Sequence, residues 1–312
     1  MRALKFFVLI FGLILAFTLL FVTKETDILQ MRIKYGGSPS QFVQLQNGLT
    51  VHLRDEGARD AVPIILLHGS NSDLHTWGEW SRLLEDKYRV IRFDQRGHGL
   101  TGPAPDADYS LSAFTEDIEL VADHLGLKEF VIAGSSMGGS IAVNYALEKP
   151  ESLLGMVLVN AGGAPIQRDG PLPLGFRILR MPLVKDLAKY FTPRFIFERS
   201  LLQSVSKTDF VTDEEIDRYW ELARYPGNLS ATMKRATYSH EPFSTSRVGN
   251  ILLPTLVLWG DEDTLIPVAA GDWYTEHLPN SVFIHYRGVG HIPHQEIPYE
   301  SVNDLENWLG LL

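Results

Sequence analysis

Apolar residues form two kinds of pattern along the chain, short continuous runs and helical repeats, and the two alternate from about residue 60 onward. Continuous runs, which are typical of strands buried on both faces, occur at 62–67, 88–93, 130–133, 156–159, 254–259 and 282–286. Helical segments are predicted between them at 111–125, 136–147 and 299–309. This alternation predicts an α/β fold, with a mostly parallel sheet and helices on both faces.

A β-hairpin is predicted ahead of the first buried strand. Strand-like stretches at 42–46 and 49–54 flank the dipeptide Asn47-Gly48. This dipeptide is the strongest short hairpin signal, because both central positions of its tight turn need a positive φ.

One long stretch interrupts the alternation of strands and helices. No buried-strand pattern occurs over 164–247, where several prolines divide the chain into short pieces, amphipathic at 178–191 and 213–224. Since the sheet pattern resumes afterwards, we interpret 164–247 as a helical cap inserted into an α/β domain formed by 41–163 and 248–312. Its large apolar residues are expected to cover the carboxyl edge of the predicted sheet, where ligand pockets of such folds lie: Phe176, Leu179, Met181, Leu183, Phe191, Phe195, Phe197 and Leu201.

The first residues have a different character. The stretch 6–23 has no charged residue and, as a helix, would be about 27 Å long, close to the thickness of the bilayer core. Arg2 and Lys5 precede it, which predicts a cytoplasmic N-terminus and an extracytoplasmic α/β domain. We interpret 1–23 as a transmembrane anchor and 24–40 as a polar tether. The alternative is a cleaved signal peptide and secretion, but the apolar run is long and ends in bulky residues.

Composition excludes several classes of protein. With 45% hydrophobic and 21% charged residues, the chain can bury a sizeable core and is not a disordered protein. A net charge of −10 argues against nucleic acid as the main partner. The absence of cysteine excludes disulfides, thiolate metal sites and a cysteine nucleophile.

The first candidate for chemistry is Ser136. It is the central residue of Gly134-Ser135-Ser136-Met137-Gly138, a G-x-S-x-G pattern at a predicted strand-to-helix junction. A nucleophile on such a sharp turn needs almost side-chain-free neighbours two positions away. The following helix directs its N-terminal N–H groups at a developing oxyanion.

A serine nucleophile needs a base, and His291 is the best candidate. It follows a predicted strand, in a loop with glycines at 288 and 290. His294 shares this loop but lies beyond a proline, and surface or packing roles are expected for His285, His124 and His277.

The acid and the oxyanion donors are also predicted to lie in loops after strands. Asp261 and Asp263 both follow the strand at 254–259, and either could instead cap the next helix. The turn after the strand at 62–67 offers the backbone N–H of Ser70 as one oxyanion donor, with that of Met137 as the second. His68, at the end of that strand, is expected to be structural.

Together the motifs resemble those of a known family. They are HGS at 68–70, FDQRGHG at 93–99, GSSMGG at 134–139, WGDEDTLIP at 259–267 and GVGHIPHQE at 288–296. Their order, from about residue 42 to the C-terminus, resembles that of serine hydrolases of the α/β-hydrolase fold with a helical cap. The resemblance implies Ser136 as nucleophile, Asp263 as acid and His291 as base. No cofactor or metal is implied: His291, His294 and Glu296 are close in sequence, but Pro293 separates the histidines.

The resemblance implies a serine hydrolase that cleaves an ester or related acyl compound, a small molecule with an apolar acyl part. GSSMGG also resembles hydrolases of carbon–carbon bonds in meta-cleavage products, and FDQRGHG resembles proline iminopeptidases. A non-catalytic ligand-binding or scaffold homologue is a further alternative. The chain lacks the HGGG turn of many lipases, and a serine at 136 argues against dehalogenases and epoxide hydrolases, which have aspartate there.

Overall fold

An eight-stranded sheet forms the centre of the computed structural model, which describes residues 22–168, 192–238 and 241–312 with positions 6, 11, 12, 170, 177 and 190. The strands are β1 (Gln41–Gln44), β2 (Thr50–Glu56), β3 (Pro63–Leu67), β4 (Arg89–Phe93), β5 (Phe130–Ser135), β6 (Leu153–Val159), β7 (Thr255–Gly260) and β8 (Ser281–Tyr286). Their order is β1-β2-β4-β3-β5-β6-β7-β8. The hairpin β1–β2 runs antiparallel at one edge, and β3 to β8 are parallel.

Helices cover both faces of this sheet. The helices of the described residues are α1 (Ile28–Tyr35), α2 (Gly78–Leu84), α3 (Leu111–Leu125), α4 (Met137–Glu148), α5 (Arg194–Leu202), α6 (Asp213–Ala223), α7 (Asn228–Arg235), α8 (Thr245–Val248), α9 (Ala269–His277), α10 (Pro293–Glu296) and α11 (Pro298–Leu309). The predicted α/β architecture, with a mostly parallel sheet between helices, is therefore confirmed.

Two apolar layers explain the continuous hydrophobic runs. Ile65 and Leu67 of β3 pack in one layer, with residues of α3, α4 and α9. Ile64 and Leu66 pack in the other, with residues of α2 and α11. Because successive strand residues point to opposite faces, a strand between two layers must be apolar at every position.

A buried carboxylate holds the loops at the carboxyl edge of the sheet. Asp94, directly after β4, accepts hydrogen bonds from the backbone N–H groups of Leu74 and Leu100, both at 2.7 Å. It also accepts one from His52 Nδ1 at 2.7 Å. Burial opposes ionisation, but His52 and the backbone donors hold the pKa of Asp94 below its usual range. The FDQRGHG segment thus organises the turn that follows β3.

The segment 24–40 differs from the expected polar tether. It contains α1, whose Met31 is buried and whose Lys34 and Tyr35 bond to Glu221 of α6 at 2.8 and 2.7 Å. Helix α1 is therefore fixed to the cap region. The polar composition that suggested an open linker reflects the side chains that make these contacts.

The predicted anchor at 6–23 lies mostly outside the described residues. Among the residues that are described, no helix has both the length and the apolar character needed to cross a membrane.

The described part of 164–247 forms helices α5 to α8 and contains no strand. Leu201 packs with Ile216 and with Ile292 of the catalytic domain, whereas Phe195 is exposed. Five apolar residues expected to cover the site lie outside the described residues: Phe176, Leu179, Met181, Leu183 and Phe191. The domain division at 163/164 and 247/248 stays a prediction.

Candidate active site

Ser136 occupies a strained turn between β5 and α4. Its φ of 54° and ψ of −115° lie in a region that residues with a side chain rarely adopt. A Cβ atom on Gly134 would overlap the carbonyl of Gly138, and one on Gly138 would overlap the carbonyl of Leu67. Glycine is therefore required on both sides of the serine, which is the physical reason for the G-x-S-x-G spacing.

The structure brings His291 and Asp263 together in the loops after β8 and β7. His291 Nδ1 lies 2.7 Å from Asp263 Oδ2, and both residues are buried. With Nδ1 donating to the carboxylate, Nε2 is left as an acceptor. His291 and Ser136 line the same cavity, so the three residues expected from the resemblance meet at one edge of the sheet.

The two candidate aspartates have different environments. Every neighbour of the Asp263 carboxylate donates to it: besides His291, these are the N–H groups of Leu265 and Ile266, at 2.7 and 3.0 Å, and Asn160 Nδ2, at 2.6 Å. Asp261 is exposed and accepts a bond from the Gly288 N–H at 2.8 Å. Of the two, only Asp263 contacts the histidine ring.

Asn160 is a site residue that the sequence analysis missed. It is buried directly after β6 with a φ of 45°, and its Oδ1 accepts from the Gly260 N–H at 3.3 Å while its Nδ2 donates to Asp263. The available signal was a polar residue at the carboxyl end of a fully apolar strand, because such strand ends meet at one edge of the sheet.

The cavity over Ser136 has a volume of about 180 Å³. One part of its wall is apolar, from Ile196, Phe197, Leu201, Leu229, Leu265 and Ile292. The remainder consists of neutral polar groups, among them Ser70, Asn71, Ser72, Thr76, Tyr219 and Thr232. Among the described residues, no lysine, arginine, aspartate or glutamate lines this space. Phe197 and Leu201 are thus two cap residues that cover the site as expected.

A family model described as the α/β hydrolase fold matches residues 62–296. The chain belongs to the α/β-hydrolase family. A 2-hydroxy-6-oxononadienedioate/2-hydroxy-6-oxononatrienedioate hydrolase of Cupriavidus pinatubonensis is 29% identical over 269 residues, which cover 81% of this chain and 89% of that protein. The expected membership is confirmed, and these relatives support hydrolase activity.

Solved structures share the fold. A thermophilic esterase from Thermogutta terrifontis superposes with a TM-score of 0.71 at 26% identity, covering 87% of this chain and 98% of its own. A membrane phospholipase A, described as a bacterial virulence factor, has a TM-score of 0.75 at 22% identity and covers 99% of this chain and 98% of its own.

The expected oxyanion donors of this α/β-hydrolase lie beside the serine. Ser70 follows Gly69 in the turn after β3 and lines the cavity, and Met137 is the first residue of α4. Neither backbone N–H donates a hydrogen bond to another described residue. Two free donors at this edge are what an oxyanion site requires.

The other histidines of the hydrolase have structural surroundings. His68 is buried between the Gly69 carbonyl and the Gln95 N–H, at 2.8 and 3.0 Å. His294 stacks on Trp77, and burial lowers the pKa of His294 to about 3, so it is neutral. His285 and His124 are exposed, and the His277 ring bonds to its own helix. Among the described residues, no three side chains converge as metal ligands.

Glu296 positions the loop that carries His291. Its buried carboxylate accepts from the N–H groups of Gly290 and Ile292, at 3.0 and 3.3 Å. It also accepts from those of Ser206 and Lys207 in the cap region, at 2.9 and 3.0 Å. One carboxylate therefore joins the histidine loop to the cap region, and its oxygens are occupied by backbone donors.

Replacing Glu296 should loosen both segments together. In Glu296→Gln an NH2 group replaces one acceptor oxygen and leaves buried N–H donors unpaired, at a cost of about 1–3 kcal/mol. We expect peptides containing Gly290 and those containing Ser206 and Lys207 to exchange amide hydrogen about tenfold faster. Glu300→Gln, in the exposed first turn of α11, is the matched control. Unchanged exchange in the Glu296 variant would contradict this role.

Proposed function

We propose that this α/β-hydrolase is a serine hydrolase that cleaves esters of an uncharged, apolar acyl group. The observation that supports this most directly is that His291, which is bonded to Asp263, shares with Ser136 a cavity whose described walls carry no lysine, arginine, aspartate or glutamate. An apolar cavity with a few placed polar groups suits a small ester.

The proposed reaction proceeds through an acyl-enzyme. Ser136 Oγ attacks the ester carbonyl while His291 Nε2 takes its proton, and Asp263 stabilises the resulting imidazolium. The N–H groups of Ser70 and Met137 bind the oxyanion. His291 then protonates the leaving alcohol, and a water activated by the same ring hydrolyses the acyl-enzyme.

No charged side chain lines the described walls of the cavity, and Arg235 lies behind Ser70 and Asn71, which accept from its Nη2. This arrangement favours a neutral substrate over a dicarboxylate. A dicarboxylate would need a desolvated cation to pair with each carboxylate. Arg218 of α6 lies behind the cavity wall, but Asp73 and Glu215 already pair with it at 3.1 and 2.5 Å. Its charge is therefore balanced within the protein.

Hydrolysis of a carbon–carbon bond is the second candidate. It is favoured by the names of several relatives, which are 2-hydroxy-6-oxononadienedioate/2-hydroxy-6-oxononatrienedioate hydrolases at 27–29% identity. The same serine and histidine could serve both reactions, so the substrate has to be decided by measurement.

A substrate panel distinguishes the two candidates. We expect kcat/KM for p-nitrophenyl esters of two to ten carbons to exceed that for a 2-hydroxy-6-oxo-dienedioate by about a hundredfold or more, because a desolvated carboxylate without a cation is costly. Ester release and loss of the dienol chromophore are both followed by absorbance. Ser136→Ala should abolish both activities. Faster turnover of the dienedioate would replace the ester proposal with the second candidate.

Asparagine substitutions test the proposed acid. In Asp263→Asn the carboxylate that stabilises the imidazolium is lost, and an NH2 group facing Nδ1 holds the His291 ring in the tautomer that cannot accept a proton at Nε2, so we expect kcat to fall by roughly 10⁴-fold. Asp261→Asn is the matched control and should stay within about threefold, since Asp261 is exposed and its carboxylate accepts, among the described residues, a single bond from the Gly288 N–H. Ester kinetics and fluorophosphonate labelling of Ser136 provide the readouts. The reverse ranking would show that Asp263 is not the acid.

We further propose that the apolar stretch 6–23 anchors the protein in a membrane, with the hydrolase domain on the extracytoplasmic side. Its length and the preceding Arg2 and Lys5 support this. So does helix α1, which follows closely and leaves Ile28, Leu29 and Ile33 exposed at 46%, 67% and 72%.

Fractionation tests the anchor. The full chain should sediment with membranes and resist alkaline carbonate, whereas a variant lacking residues 1–23 should be recovered in the supernatant. Protease added to spheroplasts of a bacterial host should digest the hydrolase domain. Full-length protein in the supernatant without detergent would refute the anchor, and protection from protease would refute the orientation.

A further inference from the structure

Arg235, the last residue of α7, is a buried cation without a balancing charge. Only 8% of its surface is exposed, and it forms no ion pair with any residue that the structure describes. Its Nη2 donates to Asn71 Oδ1 at 2.9 Å, to Ser70 Oγ at 3.2 Å and to Thr232 Oγ1 at 3.3 Å. Its Nη1 is buried and has no hydrogen-bond partner in the part of the chain that the structure describes.

This arrangement is costly, which calls for a physical reason. Buried charges are normally paired, and buried donors are normally hydrogen-bonded. Burial lowers the pKa of Arg235 to about 10, so the group still carries its charge at neutral pH. The neighbouring imidazole rings of His68 and His98 add no charge to this environment. Burial, with a smaller effect of Arg235 itself, lowers the pKa of both rings.

The guanidinium lies directly behind the turn that offers the first oxyanion donor. Ser70 and Asn71 both line the cavity, and Asn71 has a φ of 58° that requires support from its surroundings. Arg235 and Thr232 of the same helix both donate to Asn71 Oδ1, at 2.9 and 3.1 Å. Helix α7 therefore fixes the position of the Ser70 N–H.

We propose that Arg235 is a positioning residue of the oxyanion site, which both holds the Ser70–Asn71 turn and directs a positive charge at the oxyanion. The inference rests on the proposed acyl transfer at Ser136. The substrate carbonyl is neutral and its oxygen becomes negative only in the transition state, so a fixed, desolvated cation stabilises the transition state more than the bound substrate. The effect should therefore fall on kcat rather than on KM.

The charge and the hydrogen bonds can be separated by substitution. Arg235→Met and Arg235→Gln remove the charge, and the glutamine keeps a donor to the turn. Arg235→Lys keeps the charge and one donor. Lys234→Met is the matched control, because it removes an exposed charge from the adjacent position of the same helix. Thermal melts of each variant identify any that fails to fold.

Two measurements are compared, ester kinetics and inhibition by an arylboronic acid, which forms an anionic tetrahedral adduct with a nucleophilic serine. In both neutral variants we expect kcat to fall about tenfold to a hundredfold, KM to change less than about threefold, and boronic acid inhibition to weaken by the factor lost in kcat. Arg235→Lys should retain most of the wild-type kcat and of the boronic acid inhibition. Lys234→Met should stay within about twofold of wild type in both quantities.

The possible outcomes are distinct. Wild-type kcat in a folded Arg235→Gln, or a loss of kcat without weaker boronic acid inhibition, would overturn the proposed effect of the charge. An equal loss of kcat in Arg235→Lys and Arg235→Gln would also overturn the proposed effect of the charge. Two further results would refute the proposed function itself, and the role of Arg235 with it. One is a wild-type protein that hydrolyses no ester. The other is a boronic acid that blocks fluorophosphonate labelling at a residue other than Ser136.

Discussion

The strained turn at Ser136 depends on how closely α4 approaches the ends of two parallel strands. Leu67 of β3 pairs with Gly134 of β5, and Gly138 of α4 lies against the Leu67 carbonyl, where a Cβ atom could not fit. This contact sets the height of the helix above the sheet and keeps Ser136 in its unusual conformation. The turn after β3 then lies beside the serine, and the loops after β7 and β8 bring Asp263 and His291 to the same edge.

Local patterns in the sequence were sufficient to predict the sheet, the helices α3, α4 and α11, and the positions of Ser136 and His291 at strand ends. The choice of Asp263 came from the family resemblance. Continuous apolar runs indicated β3 to β7, because both faces of the sheet are covered there. The run at 282–286 also marked a strand, but β8 lies at the edge of the sheet and leaves Val282 and His285 exposed, so it is not buried on both faces as expected. Strand ends were less predictable: β6 begins at Leu153 rather than at 156, since Gly155 interrupts the apolar run. The contacts of Asp261 and Asp263 could not be distinguished, because the turn geometry and not the residue type decides which one faces the histidine.

The residues that the sequence analysis missed owe their roles to contacts distant in the chain. Asn160 meets Asp263 across 103 positions, and Arg235 meets Ser70 across 165. Neither contact leaves a periodic signal, and Arg235 in the polar α7 resembles an ordinary surface arginine. Helix α1 was missed for a related reason: its contacts with the cap region use Lys34 and Tyr35, and its sequence alone resembles a polar linker.

The described cap helices are joined to both halves of the candidate site. The Ser204 carbonyl accepts a hydrogen bond from the His291 N–H at 2.8 Å, and Glu296 accepts one from the Ser206 N–H. On the other side of the cavity, Arg235 donates to Asn71 in the turn after β3. A segment that shapes the cavity is thus also part of the scaffold around the reacting atoms. Replacing the whole cap region would therefore remove supports of His291 and of the Ser70–Asn71 turn along with the cavity wall. Under the proposed function, replacement of the cap region would change substrate preference and rate together, whereas a substitution of one wall residue would leave these supports in place.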